Sequence, residues 1–204
     1  MKIALFGATG GTGRQIMTQA TATGHELQVL VRDPARLPAG AGITVIGGNV
    51  LDAAAVEETL RGTDAVIVSL GNTADNPDYI VSRGTAVIVE AMQRVGPRRI
   101  IAITSIGVGD SKDQVPFAFK LLMKSVLRKP MEDKERQEAA IKASELDWII
   151  VRPGGLTDGP ATGKYRAGLD SKLVAGQVSR ADVAHFVLQQ LTDDAYLHQT
   201  PAIT

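Results

Sequence analysis

The sequence predicts an α/β fold in which helices cover both faces of a mostly parallel sheet. Six apolar runs of strand length alternate with helix-length segments, and this alternation is typical of a doubly wound sheet. The runs are continuously apolar, which indicates strands that are buried on both faces. The predicted strands cover residues 3–6, 27–31, 43–46, 65–70, 100–104 and 148–151.

Helix-length segments lie between these strands, and a last helix follows them. We expect the last helix to begin after Ser179, whose hydroxyl can cap free amides while Asp182 returns a bond in a capping box, and to end near Leu191. A chain of 204 residues suits one domain, so we expect residues 1–204 to form a single Rossmann-type domain. The other predicted helices cover residues 13–23, 53–61, 78–95, 116–129 and 131–146.

The composition narrows the classes of partner and compartment. Lysine plus arginine equals aspartate plus glutamate at 22 each, so no bulk charge favours nucleic acid or an anionic membrane. The chain has no cysteine, which excludes disulfides and thiolate chemistry, and no metal-ligand spacing is present. The apolar start is too short for a signal peptide or a membrane span. We therefore expect a cytoplasmic, monomeric protein without a metal, although weak self-association stays open.

The first predicted strand runs directly into a glycine-rich turn that opens the first predicted helix. Glycines there permit a sharp turn and a close approach of backbone amides to a pyrophosphate, which the helix N-terminus then attracts. The spacing G-x-x-G-x-x-G departs from the common G-x-G-x-x-G, and a turn without a ligand is the alternative. We expect a nicotinamide dinucleotide to bind this turn through Gly7, Thr9, Gly10, Gly11, Thr12 and Gly13.

The end of the second predicted strand indicates which dinucleotide is bound. NAD sites usually place an acid there to accept hydrogen bonds from the ribose diol, whereas this strand ends at Arg32. The Arg32 guanidinium can form charge-assisted hydrogen bonds to a 2′-phosphate, and Arg36 could contact the other side of that phosphate. Asp33 could serve the diol instead, but Asp33-Pro34 is also typical of a helix cap. We predict NADPH as the cofactor, with a solvated surface arginine as the alternative for Arg32.

Two loops rich in glycine and proline, residues 71–77 and 153–163, follow predicted strands and should form a substrate pocket at the carboxyl edge of the sheet. None of the three tyrosines is followed four residues later by lysine, so the Tyr-x-x-x-Lys dyad that protonates a ketone oxygen is missing. Conjugated acceptors need less help because they delocalise the incoming charge. Ser105 after the fifth strand is the candidate catalytic residue, and a hydroxyl bonded to its own turn is the alternative.

The predicted helix 116–129 carries a basic stripe. Lys120, Lys124 and Arg128 recur at i,i+4 spacing beside apolar positions. A solvated helix face, an anchor for acidic groups of a substrate and a membrane-facing surface all remain open. We name Lys120 and Lys124 as candidate substrate-binding residues.

Five segments together carry a resemblance that covers nearly the whole chain. They are KIALFGATGGTG, QVLVRDPARLP, GNVLDAAAVEETLRGTDAVIVSLG, IIAITS and GGLTDGPATGKY. The sequence resembles the biliverdin-IXβ reductases, also known as flavin reductases, which are atypical short-chain dehydrogenases. The resemblance implies NADPH as cofactor and flavins or linear tetrapyrroles as acceptors. Mammalian relatives have histidine where this chain has Gly155, so the resemblance implies no imidazole role here.

The resemblance also assigns residues to parts of the cofactor. It implies the pyrophosphate at the glycine turn, the 2′-phosphate at Arg32 and Arg36, and the nicotinamide beside Ser105. The adenine, the ribose and further cofactor contacts are expected at Asn49, Val50, Leu70, Gly71, Pro153 and Gly154.

The function expected from the sequence is an NADPH-dependent reductase of flavins (FMN, FAD), of biliverdin, or of both. The alternative is an NmrA-like regulator that senses the dinucleotide without turnover. Such regulators usually carry a substantial extension after the last helix, whereas this chain has few residues there.

Overall fold

The computed structural model describes residues 1–37, 40–73, 78–116 and 127–204. All six predicted strands are present, with ends that differ by at most two residues. In chain order, the elements are β1 (Lys2–Phe6), α1 (Gly11–Ala22), β2 (Glu26–Val31), β3 (Ile43–Gly47), α2 (Ala53–Leu60), β4 (Ala65–Val68), α3 (Ile80–Val95), β5 (Arg99–Ile103), α4 (Arg128–Lys142), β6 (Asp147–Pro153), β7 (Gly155–Thr157), β8 (Ala167–Gly168), β9 (Gln177–Ser179), α5 (Arg180–Gln189) and β10 (Ala202–Ile203).

Within these described ranges, the main sheet has eight strands in the order β3-β2-β1-β4-β5-β6-β10-β8. Every neighbouring pair is parallel except β10 with β8. The first six strands follow the 3-2-1-4-5-6 order of dinucleotide-binding folds, and the predicted doubly wound fold is confirmed. The order reverses between β1 and β4, and this reversal opens a crevice at the carboxyl edge of the sheet.

Alternate residues of each central strand belong to two different buried layers. Ile3 and Leu5 of β1 belong to a cluster that also contains side chains of α1 and α5. Ala4 and Phe6 belong to the opposite cluster, which α2, α3 and α4 complete. Burial on both faces explains why the strand sequences are continuously apolar.

The helices differ from prediction mainly around α4. The predicted helix 116–129 falls largely on residues 117–126, which lie outside the described part of the chain. The helix predicted at 131–146 begins earlier, at Arg128, and ends at Lys142. Pro130 is compatible with this start because amides of a first helical turn have no intrahelical acceptor.

The start of α3 is fastened by α4. The Asp133 carboxylate is 1% exposed and accepts hydrogen bonds from the backbone N–H groups of Val81 (3.1 Å) and Ser82 (2.8 Å). Tyr79, which precedes α3, has a φ of 59°, and the Arg136 guanidinium lies 4.1 Å from its ring centroid. A bulky residue rarely adopts this left-handed conformation, so the contacts from α4 hold it in place.

Candidate functional site

A cavity of about 600 Å³ lies at the carboxyl edge of the sheet, where the strand order reverses. Its wall includes residues that follow β1, β2, β3, β4 and β5, so it crosses both halves of the fold. The predicted cofactor residues that line it are Gly7, Thr9, Gly10, Gly11, Thr12, Arg32, Asn49, Val50, Leu70 and Gly71.

The glycine turn brings the N-terminus of α1 to the cavity wall. Gly7 has a φ of +93°, and a Cβ there would lie 2.3 Å from the Ser69 carbonyl oxygen. A Cβ on Gly13 would lie 2.1 Å from the Gly7 carbonyl oxygen, so Gly13 serves the packing of helix against turn. Gly10 is the N-cap and provides no side-chain bond to the first amides of α1. These amides and the helix dipole form a site for a phosphate group.

Arg32 stands at one end of the cavity, directly after β2. The Asp33 carboxylate accepts a hydrogen bond from the Ala35 amide at 3.1 Å and caps a short 3-10 turn, Pro34–Arg36. The cap interpretation of Asp33 therefore holds in the structure. Arg36 is exposed on this turn and lies outside the cavity lining.

Arg14 is a basic residue at this end that the sequence analysis missed. Its Nε donates to the Thr9 carbonyl at 3.1 Å, and its Nη2 donates to the Arg36 carbonyl at 3.4 Å. Arg14 thus links the glycine turn to the segment that carries Arg32 and Arg36. Its place directly after the last glycine of the motif could have identified it.

Part of the cavity wall is apolar. Val50 and Leu70 line it, and both pack against Gly84 in the middle of α3. A Cβ on Gly84 would lie 2.7 Å from the Val50 Cγ1 atom and 3.3 Å from the Leu70 Cδ1 atom. Glycine within a helix costs about 1 kcal/mol relative to alanine, so its presence here is explained by the space that the wall needs.

Asn49 lies on the cavity wall beside Val50. The Asn49 side-chain oxygen accepts a hydrogen bond from the Leu51 amide at 3.0 Å, which fixes the turn that leads toward α2.

Ser105, Pro153 and Gly154 are not among the residues that line the cavity. Ser105 follows β5 by two residues, and its hydroxyl donates to the Ile106 carbonyl at 3.0 Å, as in the alternative of a turn bond. Pro153 ends β6, and a Cβ on Gly154 would lie 2.4 Å from the Gly176 carbonyl oxygen. Their contacts with a cofactor stay predictions. Lys120 and Lys124 lie outside the described residues.

Lys134 of α4 lines the other end of the cavity, together with Ile103 and Thr104 at the end of β5. Burial lowers the pKa of its ammonium to about 8, and the charges of Asp133 and Glu138 offset only part of this effect. The residue four positions earlier is Pro130, so Lys134 does not belong to a Tyr-x-x-x-Lys dyad. Lys134 was missed in the sequence analysis because only the complete dyad was considered there.

A buried ion pair fixes the helix that carries Lys134. Arg152 of β6 and Glu138 of α4 are each 3% exposed, and their Nη2 and Oε2 atoms are 2.6 Å apart. Glu138 also accepts a hydrogen bond from the Thr104 hydroxyl at 2.8 Å. Burial alone would raise the pKa of Glu138, but the hydrogen bond and charge of Arg152 lower it. Glu138 is therefore a carboxylate whose negative charge is balanced by Arg152. It lies one helical turn after Lys134.

The histidines contribute to packing away from the cavity. His185 Nδ1 lies 2.9 Å from the Tyr165 hydroxyl, and His198 Nε2 lies 3.1 Å from the Leu146 carbonyl oxygen. In the described ranges, no group of three or more histidine, aspartate or glutamate residues could hold a metal ion. Within the same ranges, no helix combines the length and apolar character needed to cross a membrane.

A family model described as NAD(P)H-binding matches residues 7–194. The chain belongs to this NAD(P)H-binding family. The predicted nicotinamide dinucleotide cofactor is therefore confirmed at the level of NAD(P)H, and the residues assigned to its binding stay predictions. The inferred relationship to an NAD(P)-binding Rossmann family is confirmed as well.

Named relatives and solved structures agree with this family. Reductase pytE of Aspergillus terreus is 26% identical over 93% of this chain and 90% of its own length. The structure of ChuY, an anaerobilin reductase from Escherichia coli O157:H7, is 28% identical with a TM-score of 0.86 and covers 100% of this chain and 96% of its own. A short-chain dehydrogenase/reductase of Veillonella parvula in complex with NADP is 22% identical, has a TM-score of 0.81 and covers 99% of this chain and 93% of its own. This last likeness shows the shared fold.

We predict that Gly13→Ala disrupts both the turn and cofactor binding. Its Cβ would meet the Gly7 carbonyl oxygen at 2.1 Å, and overpacking of this kind costs about 1 to 3 kcal/mol. Gly10→Ala is the matched control, because its Cβ would have its nearest neighbour at an ordinary 3.5 Å. Urea unfolding should separate the two variants, and NADPH titration should show the loss of binding in Gly13→Ala. Equal stability of both would contradict the packing role of Gly13.

Proposed function

We propose that this chain is an NADPH-dependent reductase that transfers hydride to a conjugated acceptor, either a flavin or a linear tetrapyrrole such as biliverdin. The observation that carries the proposal is that Arg32, the glycine turn and Lys134 line a single cavity. Arginine at one end suits a phosphorylated ribose, and a lysine without a dyad tyrosine at the other end suits an acceptor that delocalises charge. The reductase names among its relatives support the same class.

The strand order supports one orientation of the cofactor. The adenosine half belongs over β1, β2 and β3, and the nicotinamide half belongs over β4, β5 and β6. Arg32 would then hold the 2′-phosphate, and the amides of the glycine turn would hold the pyrophosphate. Thr104 and Lys134 would border the nicotinamide, which supplies hydride from its C4 atom when bound.

Lys134 is the group on this wall that can respond to the charge that hydride brings. As an ammonium it would stabilise negative charge on the acceptor, and it can give up a proton because its pKa is about 8. Ile80 and Leu156 add apolar surface to the lining, which suits the flat face of a conjugated ring. The likeness to ChuY, an anaerobilin reductase, favours a bilin among the acceptors.

The experiment that tests this function is oxidation of NADPH at 340 nm with a panel of acceptors. We expect activity with FMN, FAD or biliverdin and none with acetone or cyclohexanone, because a small ketone needs the missing proton donor. Equal rates with simple ketones would refute the acceptor class. Saturable NADPH binding with a flat panel would support a dinucleotide-sensing protein without turnover.

We predict that Arg32→Ala weakens NADPH binding while NADH binding hardly changes. Loss of a charge-assisted bond to the 2′-phosphate costs roughly 1.5 to 3 kcal/mol, which is about tenfold to a hundredfold in affinity. Calorimetric titration of both cofactors measures the difference, and Arg61→Ala, exposed after α2, controls for the lost charge. Wild-type protein that binds NADH as tightly as NADPH would rule out this role of Arg32.

We predict that Lys134→Met lowers kcat by at least about tenfold with cofactor affinity largely kept. In the wild type, kcat should fall as pH rises through about 8, because the ammonium loses its proton there. The variant should lack this fall. Lys129→Met, which removes an exposed lysine of the same helix, is the control. A wild-type pH profile retained by Lys134→Met would assign the ionisation to another group.

A further inference from the structure

Arg180 is a second basic side chain that reaches the glycine turn, and it comes from a distant part of the sequence. It is the first residue of α5 and lines the cavity together with Gly10, Gly11 and Thr12. Its side chain lies across Gly11, since a Cβ there would be 2.7 Å from the Arg180 Cδ atom and 2.8 Å from its Nε atom. The guanidinium is thus next to the amides that open α1.

The partner of this guanidinium is a replaceable one. Arg180 Nη1 donates to Asp158 Oδ1 at 2.6 Å, and the Asp158 side chain is 88% exposed. Exposed ion pairs contribute little to stability, because water solvates the carboxylate well. A pyrophosphate offers more acceptor oxygens in a geometry that a planar guanidinium matches.

The backbone that carries Arg180 is held by hydrogen bonds that do not involve Asp158. The Ser179 hydroxyl oxygen accepts a hydrogen bond from the Asp182 backbone N–H at 2.9 Å. The buried Asp182 carboxylate accepts hydrogen bonds from the backbone N–H groups of Thr162 and Gly163 at 2.8 Å each. The predicted cap of α5 is therefore present, and its acid also fastens a loop. The Gln19 side chain of α1 donates to the Ala181 carbonyl at 2.9 Å, which ties α5 to the helix that follows the glycine turn. Removal of Asp158 should leave all these bonds intact.

We propose that Arg180 binds the pyrophosphate of the dinucleotide and that Asp158 competes with the pyrophosphate for the Arg180 guanidinium. This inference rests on the proposed placement of the cofactor. Asp158 then lowers cofactor affinity, whereas a purely structural ion pair would support the site from both sides. Because NADPH and NADH share the pyrophosphate, Arg180 acts on both cofactors alike.

The test compares Arg180→Met with Asp158→Ala by calorimetric titration of NADPH and NADH without any acceptor. Arg180→Met should weaken the binding of NADPH and of NADH equally, by about tenfold to a hundredfold. Asp158→Ala should tighten both by about two- to fivefold, because it frees the guanidinium. Glu58→Ala on α2 removes an equal charge far from the pair and should change neither affinity. Arg180→Lys should recover part of the binding, and thermal unfolding verifies that each variant is folded.

Three results would overturn the proposal. Weaker binding in both Arg180→Met and Asp158→Ala would make the pair a structural support. A loss confined to NADPH in Arg180→Met would move Arg180 to the 2′-phosphate, and unchanged affinity would remove it from the site. Since binding alone is measured, failure of the acceptor panel does not decide this test.

Discussion

The close contact between β1, the glycine turn and α1 is the constraint on which the site depends. Gly13 lies against the Gly7 carbonyl and Gly7 against Ser69 of the neighbouring strand's end, so backbone meets backbone with no side chain between. This contact directs the first amides of α1 into the crevice between β1 and β4. A phosphate site made of backbone needs no charged residue in the turn itself, which leaves the basic side chains around it free to select among phosphorylated ligands.

The opposite half of the cavity depends on side chains rather than on backbone. Asp133 fastens α4 to the start of α3, and the Arg152–Glu138 pair fastens α4 to β6. These two attachments lie on either side of Lys134 along the helix. The removal of one partner from a buried pair is costly, about 3 to 5 kcal/mol, so the position of the lysine is tied to the stability of the fold.

Sequence patterns predicted the sheet, the glycine turn and the cap role of Asp33, because each depends on neighbours within a few residues. The strands β7 to β10 were missed because two or three residues carry no detectable apolar run. Lys134 and Arg180 were missed for another reason. Each reaches the cavity only when a helix distant in sequence packs beside the sheet edge, and each lies in an otherwise ordinary polar segment. Gly84 and Arg14 did carry local signals, a glycine inside a helix and an arginine directly after the motif.

The chain has no net charge with which to attract an anionic cofactor, so local positive groups must do so. Equal numbers of acids and bases mean that attraction for an anionic cofactor must come from placement. The structure places Arg32 and Arg180 on the cavity wall and bonds Arg14 to the glycine turn. Arg14 is held by backbone carbonyls, whereas the Arg180 guanidinium is held by an exposed carboxylate. A carbonyl orients a guanidinium without neutralising it, so Arg14 keeps its full positive charge. A carboxylate orients and also neutralises, which makes the attraction of Arg180 conditional on exchange of its partner. Under the proposed binding mode, Arg180 is an exchangeable positive group beside the glycine turn, whereas Arg14 is a permanent one.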